Sequence, residues 1–435
     1  MKPRSAVLEA VAGWVPGEPV PNGALPAEWE VDDAWIRTRT GIEGRHRAAP
    51  GMSTGDLAYE AARLLVPEAP GLAATGAGAG AGMLAGTGTG TGARVGVGVA
   101  AASARAGGDR GVDAVVLATA TPDHLCPGTA PSLAARLGLG TVPAFDIGAV
   151  CSGFVYGLAV CHGLVVSGLY ERVLLVGADV YSTWLDPRDR SSGVVFGDGA
   201  GAALIGAGRA GDRGELLAFD LGSDGTGYDL ITVPGGGARS RSVAEPPADG
   251  DEFFRMRGRA VYQHAVERMT GSCRSLLRAV GWDAADVDHF VPHQANARIL
   301  RAVADRVGIG VQSCVTHLDR VGNTGAASIP LALADADARG RFRAGDRMLL
   351  TAFGGGLTWG TVALRWPVTT TPVTTTPVTT TPVTTTPVPT MTEAPALAST
   401  TTEATTPEAT TPATTSEAAR PENSRATALD GRNGS

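Results

Sequence analysis

Lysine is nearly missing from this chain. Lys2 is the only one, and every other basic side chain is an arginine. Alongside 60 glycines, that pattern reads as coding bias rather than chemical selection. Positive charge is also short. The chain carries 36 basic against 43 acidic residues, a net charge of −7, so no basic surface points to nucleic acid as a partner. Cysteine is scarce: the five at 126, 151, 161, 273 and 314 show no CxxC spacing. This argues against a disulfide framework and against zinc, and predicts reduced thiols in the cytoplasm. No apolar run reaches the length of a membrane span. The residues before Trp14-Val15-Pro16-Gly17 hold no sustained apolar core, so no secretory leader is expected.

What remains is a chain of 435 residues, long enough for two or three domains. Residues 4–16 read as a strand ending in a Pro-Gly turn, Glu28 to Thr40 as a helix, and Asp56 to Leu65 as another. Residues 73–108 are almost entirely Gly, Ala, Thr and Val, with few large side chains to bury, and predict a mobile insert. From Val112-Asp113-Ala114-Val115-Val116 onward, apolar strands alternate with helices, which predicts an α/β layered fold. After Trp366 come Pro-Val-Thr-Thr-Thr repeats and a Thr/Pro-rich stretch to Ser435, the composition of a disordered tail.

The ordered part repeats itself. Val112 to Val116 followed by Ala134 to Gly138 is echoed by Val287 to Val291 followed by Ala304 to Gly308. Glu171 to Gly177 is echoed by Asp346 to Ala352. The offset stays near 175 residues, which predicts a duplicated α/β unit: an N-terminal half over 1–210, a C-terminal half over 211–366, and the tail from 367. Cys151 in one unit then falls opposite Val321-Gly322-Asn323-Thr324 in the other.

Cys151 follows an apolar strand and opens the Gly/Ala/Leu-rich segment Gly153-Phe154-Val155-Tyr156-Gly157-Leu158. A cysteine at a helix start has backbone N–H groups and the positive dipole end beside its sulfur, which favours the thiolate. The same residue also suits simple packing. His293 lies where a strand hands over to a helix, Asn323 lies in a Gly-Asn-Thr turn, and Gly354-Gly355-Gly356 follows a buried strand. A thiol, an imidazole, an amide donor and unobstructed backbone N–H groups suit acyl transfer and enolate stabilisation.

Six motifs in order decide between these readings. They are Asp33 to Ile42, Ala144-Phe145-Asp146 with Cys151-Ser152-Gly153-Phe154, Phe196 to Gly201, Pro292-His293-Gln294-Ala295-Asn296, Gly322-Asn323-Thr324, and Ala352 to Gly356. With them the chain resembles the β-ketoacyl-[acyl carrier protein] synthase III family of thiolase-fold condensing enzymes, from about residue 5 to residue 366. The resemblance implies a thiolase-like fold of two α/β halves in five layers, and a cytoplasmic homodimer. It also implies a Cys151–His293–Asn323 triad, with an oxyanion hole at the N–H groups of Cys151 and Gly355. Acyl-CoA would acylate Cys151, and malonyl-acyl carrier protein would lose CO2 and condense with it. The thioesters of CoA and phosphopantetheine would be substrates, with no cofactor or metal.

By the same resemblance, Trp35 and Arg190 would flank the CoA adenine and Arg39 its phosphates. Asn296 would lie beside the pantetheine arm. Arg298, with Arg301 and Arg306, would face the carrier protein. Cys126 stands where well-known members carry a phenylalanine closing the acyl pocket across the dimer, so a primer larger than acetyl is expected. A rival outcome keeps the fold and the acyl-cysteine but passes the acyl group to an alcohol or amine. Asn323 argues against it, because an amide cannot take the acceptor's proton. A non-catalytic scaffold is the other alternative, and an intact triad weighs against that.

Overall fold

The computed structural model describes residues 2–66, 111–243 and 248–367. The expected insert at 73–108 and the tail beyond Pro367 lie outside the described residues. Two sheets carry the fold. The first contains β1 (Arg4–Trp14), β2 (Ala114–Ala118), β3 (Ala144–Ile147), β4 (Arg172–Val180) and β5 (Asp198–Arg209), in the order β1-β5-β4-β2-β3. The second contains β6 (Leu216–Ser223), β7 (His289–Pro292), β8 (Arg347–Gly354) and β9 (Thr358–Arg365), in the order β6-β9-β8-β7.

The duplication is visible in the pairing. β1/β5 and β5/β4 are antiparallel and β4/β2 parallel; β6/β9 and β9/β8 are antiparallel and β8/β7 parallel. Corresponding strands start at Arg172 and Arg347, and at Ala114 and His289, 175 residues apart in each case.

Two helices lie between the sheets, α4 (Gly153–Val166) and α7 (Ser328–Ala338), again offset by 175. Val155, Leu158 and Val165 of α4 and Ile329 and Leu333 of α7 share one core with Val173 and Leu175 of the first sheet and Met348 and Leu350 of the second. Leu174 and Val176 face the other way, onto α2 (Thr54–Ala62) and α3 (Ala130–Arg136). Leu349 and Ala363 face outward onto α5 (Gly258–Val280) and α6 (Ala297–Val307). These strands are apolar on both faces because helices cover both. Each buried Val or Leu contributes about 2 kcal/mol from lost contact with water.

Two helix starts differ from the sequence expectation. The helix placed at Glu28 to Thr40 is shorter, α1 (Asp33–Thr40), because Glu30 sits in the left-handed region at φ 50° after a 3-10 turn at Ala27–Trp29. The Asp32 carboxylate then caps α1 by accepting the Trp35 N–H. α2 begins at Thr54 rather than Asp56, since Ser53 and Asp56 form a reciprocal capping box.

Candidate active site

Cys151 lies in a 3-10 turn, Val150–Ser152, between β3 and α4, one turn before the α-helix rather than inside it. Val150 is forced to φ 48°, a conformation costing about 1–3 kcal/mol that the surroundings must hold in place. Ser152 Oγ is 2.8 Å from Ala149 O and 2.8 Å from Thr358 Oγ1. The Thr358 hydroxyl in turn reaches Gly355 O at 3.0 Å. This hydroxyl link ties the Cys151 turn to the glycine loop of the second sheet. The two backbones are so close that a Cβ on Gly354 would stand 2.9 Å from the Cys151 nitrogen. The turn holding Cys151 and the loop holding Gly355, the two expected sources of oxyanion donors, are thus held against each other.

Asn323 reaches the same cavity from the turn before α7. Its backbone N–H donates to Val195 O at 2.9 Å, and Gly197 N–H donates to its carbonyl at 2.9 Å. Its side-chain Oδ1 accepts the Gly325 N–H at 3.0 Å. With the oxygen engaged in that turn, the amide NH2 is the end left to act as a donor. His293 follows β7, its N–H anchored on Thr351 O at 2.7 Å. His293 Nδ1 lies 2.6 Å from Ser328 Oγ at the start of α7. A serine hydroxyl can donate or accept there, so it accommodates either neutral tautomer of the ring.

Sequence reasoning missed three residues. Ser328 is one, and Asp179 is the second. It is the penultimate residue of β4, fully buried, and its two oxygens join both halves. Oδ1 accepts from Ala120 N at 2.7 Å and Thr119 Oγ1 at 3.0 Å, while Oδ2 accepts from Ala326 N at 2.7 Å. A Cβ on Gly325, at φ 57°, would lie 2.1 Å from Asp179 Oδ2, so only glycine lets the Asn323 turn close onto this carboxylate. The third is Tyr181, two residues further on, whose hydroxyl is 3.9 Å from Cys151 Sγ. The one signal in the sequence was an acidic residue closing an otherwise apolar strand, Val176-Gly177-Ala178-Asp179.

Cys151, Tyr181, His293 and Asn323 meet at one cavity of about 50 Å3, walled by Phe196, Phe254 and other apolar side chains. Burial sets its electrostatics. Packing withdraws the Cys151 sulfur from bulk water and, with the Asp179 charge adding to it, pushes the thiol up to about 12. Both causes act against the thiolate-favouring effect expected of a helix start. Burial pushes His293 down to about 3, so the ring is neutral, and raises Asp179 to about 6. Among the described residues no group of three or more His, Cys, Asp or Glu is placed to hold a metal ion.

The predicted CoA and carrier residues fall mostly at the contact of α1 and α6. Arg39 stacks on Trp35, its guanidinium carbon 4.2 Å from the ring centre. Asn296 caps α6, accepting the Arg298 N–H at 2.9 Å, and its amide donates to Arg39 O at 3.2 Å. Arg298 donates to Thr38 O at 3.3 Å. Arg298, Arg301 and Arg306 are exposed on α6 while Leu300, Val303 and Ala304 are buried. Arg190 donates to Trp29 O at 2.9 Å. Cys126 is exposed between β2 and α3 and does not line the cavity of its own chain.

Comparisons with known proteins agree with this geometry. Residues 145–225 match the family model for 3-oxoacyl-[acyl-carrier-protein] synthase III, and residues 277–366 the model for its C-terminal region. The chain is 49% identical over 366 residues to beta-ketoacyl-[acyl-carrier-protein] synthase III 5 of Streptomyces coelicolor, covering 84% of this chain and 98% of that protein. Among solved structures, 3-oxoacyl-(acyl carrier protein) synthase III from Pseudomonas aeruginosa PAO1 is similar at a TM-score of 0.67 and 44% identity, over 83% of this chain and 98% of that one. The priming beta-ketosynthase from the R1128 polyketide pathway is similar at a TM-score of 0.67 and 26% identity, over 84% and 97%.

Proposed function

The chain belongs to the β-ketoacyl-[acyl-carrier-protein] synthase III family, and on that footing we propose that it condenses an acyl-CoA primer with malonyl-acyl carrier protein through an acyl-Cys151 intermediate, initiating fatty acid or polyketide synthesis. The observation that carries the reading is the convergence of Cys151, His293 and Asn323 on one cavity. In the acylation half, Cys151 gives its proton to the neutral imidazole of His293 and attacks the primer thioester. The proton passes to the departing CoA thiolate, so that a thiol is released and a thioester is formed. In the condensation half, malonyl loses CO2 while the thioester oxygen gains enolate charge. His293 and the Asn323 amide donate to that oxygen, and Ser328 lets the ring present a donor in this step after an acceptor in the first. The carbanion attacks the acyl-Cys151 carbonyl, whose oxyanion lies against the N–H groups of Cys151 and Gly355. Cys151 leaves as the thiolate and takes up one proton from solvent, the proton that the overall decarboxylative condensation consumes.

CoA is proposed to lie along Trp35 and Arg39, with Asn296 beside the pantetheine arm and Arg190 nearby. Arg298, Arg301 and Arg306 offer guanidinium groups to an acidic carrier protein. No cofactor is needed, because the donors are all supplied by the chain. A homodimer is supported by β3, an edge strand whose Phe145 is 38% exposed, and by Leu125, which is 68% exposed. Cys126 favours a primer larger than acetyl only in such a dimer, since it stands outside its own chain's cavity. A cytoplasmic location is supported by five unpaired cysteines; among the described residues no helix is long and apolar enough to cross a membrane. Asn323 disfavours transfer to an alcohol or amine, which needs a base for the acceptor.

The test is mass spectrometry of Cys151 after an acyl-CoA panel, then malonyl-carrier protein. An acyl adduct that converts to a β-ketoacyl product supports the reading. An adduct without product favours the transferase, and no adduct on folded protein favours a scaffold.

A further inference from the structure

The cavity holds one polar group that the reaction above does not use. Tyr181 is 1% exposed and lies in the turn after β4, so Asp179 and Tyr181 bracket the end of that strand. Its ring is fixed from three sides. It stacks on Phe196 at 4.6 Å and meets Trp184 and Phe254 edge-on at 6.1 and 5.8 Å. A phenylalanine would make every one of those contacts. The hydroxyl is therefore the feature that needs a reason, since a buried phenol left without a partner costs free energy. Among the described residues its partner is Cys151 Sγ, at 3.9 Å.

The chemistry fixes the direction of that bond. A thiol is a weak donor, and a thiolate is only an acceptor. As the proton leaves sulfur, the phenol must donate. The phenol does not surrender its own proton instead, because burial holds its ionisation well above the ordinary tyrosine range. Asp179 works in the opposite sense by repelling the developing charge.

We propose that Tyr181 is a further catalytic residue, whose O–H donates to Cys151 Sγ and stabilises the thiolate that forms as the primer is taken up. The proposal rests on the reading of Cys151 as the acyl-carrying nucleophile, and it adds a side-chain donor at sulfur to the backbone donors at oxygen.

The experiment uses the full chain with Tyr181→Phe, and separately with 3-fluorotyrosine placed at 181. The fluorinated ring keeps the shape and is a stronger donor. The pH dependence of iodoacetamide alkylation at Cys151 is followed by peptide mass spectrometry, with acyl uptake from acetyl-CoA measured alongside. Tyr181→Phe is expected to move the alkylation inflection upward, with alkylation at pH 8 and acyl uptake both about tenfold slower. The 3-fluorotyrosine chain is expected to move the inflection downward. A purely structural role would alter the melting temperature without moving the inflection. Superimposable profiles for wild type and Tyr181→Phe overturn the proposal. If Tyr181→Phe fails to fold, an unshifted inflection in the fluorinated chain overturns it instead. Alkylation needs no substrate, so failure here is separable from failure of the condensation reading.

Discussion

Asp179→Asn removes a charge beside the nucleophile while keeping the side chain's shape, and its consequences run in opposite directions for two steps. The Cys151 thiol is raised from an ordinary value of 9.0 to about 12, by burial first and by Asp179 second. At pH 8 that leaves a thiolate fraction of about 10^-4, roughly a thousandfold below a thiol titrating at 9. Asp179 itself is raised only to about 6, so it is ionised at pH 8. Replacing it with a neutral amide takes away a like charge, which is expected to speed alkylation of Cys151 about tenfold. The amide, however, has one acceptor oxygen where the carboxylate has two. Ala120 N–H and Ala326 N–H both need one, so one buried donor is left facing an NH2 group, at a cost of about 1–3 kcal/mol. The turn that aims Asn323 loosens in consequence. Alkylation should therefore rise while malonyl decarboxylation falls, with a lower melting temperature. Iodoacetamide kinetics at Cys151 against pH, run beside CO2 release, read both. Slower alkylation in the variant, or a wild-type inflection near pH 8, would refute this electrostatic account.

His293→Ala and Asn323→Ala each remove a donor to the enolate oxygen, and decarboxylation should drop about a hundredfold or more in either. His293→Ala should also slow acyl uptake, because the resting nucleophile is a thiol that needs a base, whereas Asn323→Ala should leave uptake within a few-fold; single-turnover acylation and CO2 release separate the two. Since His293 is neutral down to about pH 3, the wild-type pH–rate profile should show no inflection from it between pH 5 and 8. Cys126→Phe should leave acetyl uptake intact and reduce uptake of longer or branched acyl groups across a chain-length series. Unchanged preference would remove Cys126 from the acyl pocket.

Much of this architecture was legible before any coordinates. The repeat at 175 residues anticipated the duplicated sheets, and in the structure it also pairs the turn holding Cys151 with the turn following Asn323, at 150–152 and 325–327. The shared location of Cys151, His293 and Asn323 at one cavity was legible because these residues stand at strand and helix ends, where type and position carry chemistry. Other features were hidden for physical reasons. Asp179 takes partners 58 to 147 residues away, and nothing local in the chain marks them. The state of the Cys151 thiol depends on how completely packing removes water, a property of tertiary structure that a helix-start argument ignores. Glu30 in the left-handed region delayed α1, since helical periodicity says nothing about a single backbone reversal. The pairing of Arg39 with Trp35 is an i,i+4 contact on α1 that was open to reading from spacing alone.

The central claim is that Cys151 carries the acyl group through a decarboxylative condensation. Intact-protein and peptide mass spectrometry, first with acyl-CoA and then with malonyl-acyl carrier protein, tests it most directly. The account predicts one acyl adduct, located on Cys151, which disappears as CO2 and β-ketoacyl-carrier protein form, and no adduct in Cys151→Ala. An adduct on another residue, or one on Cys151 that malonyl-carrier protein never discharges, would contradict it.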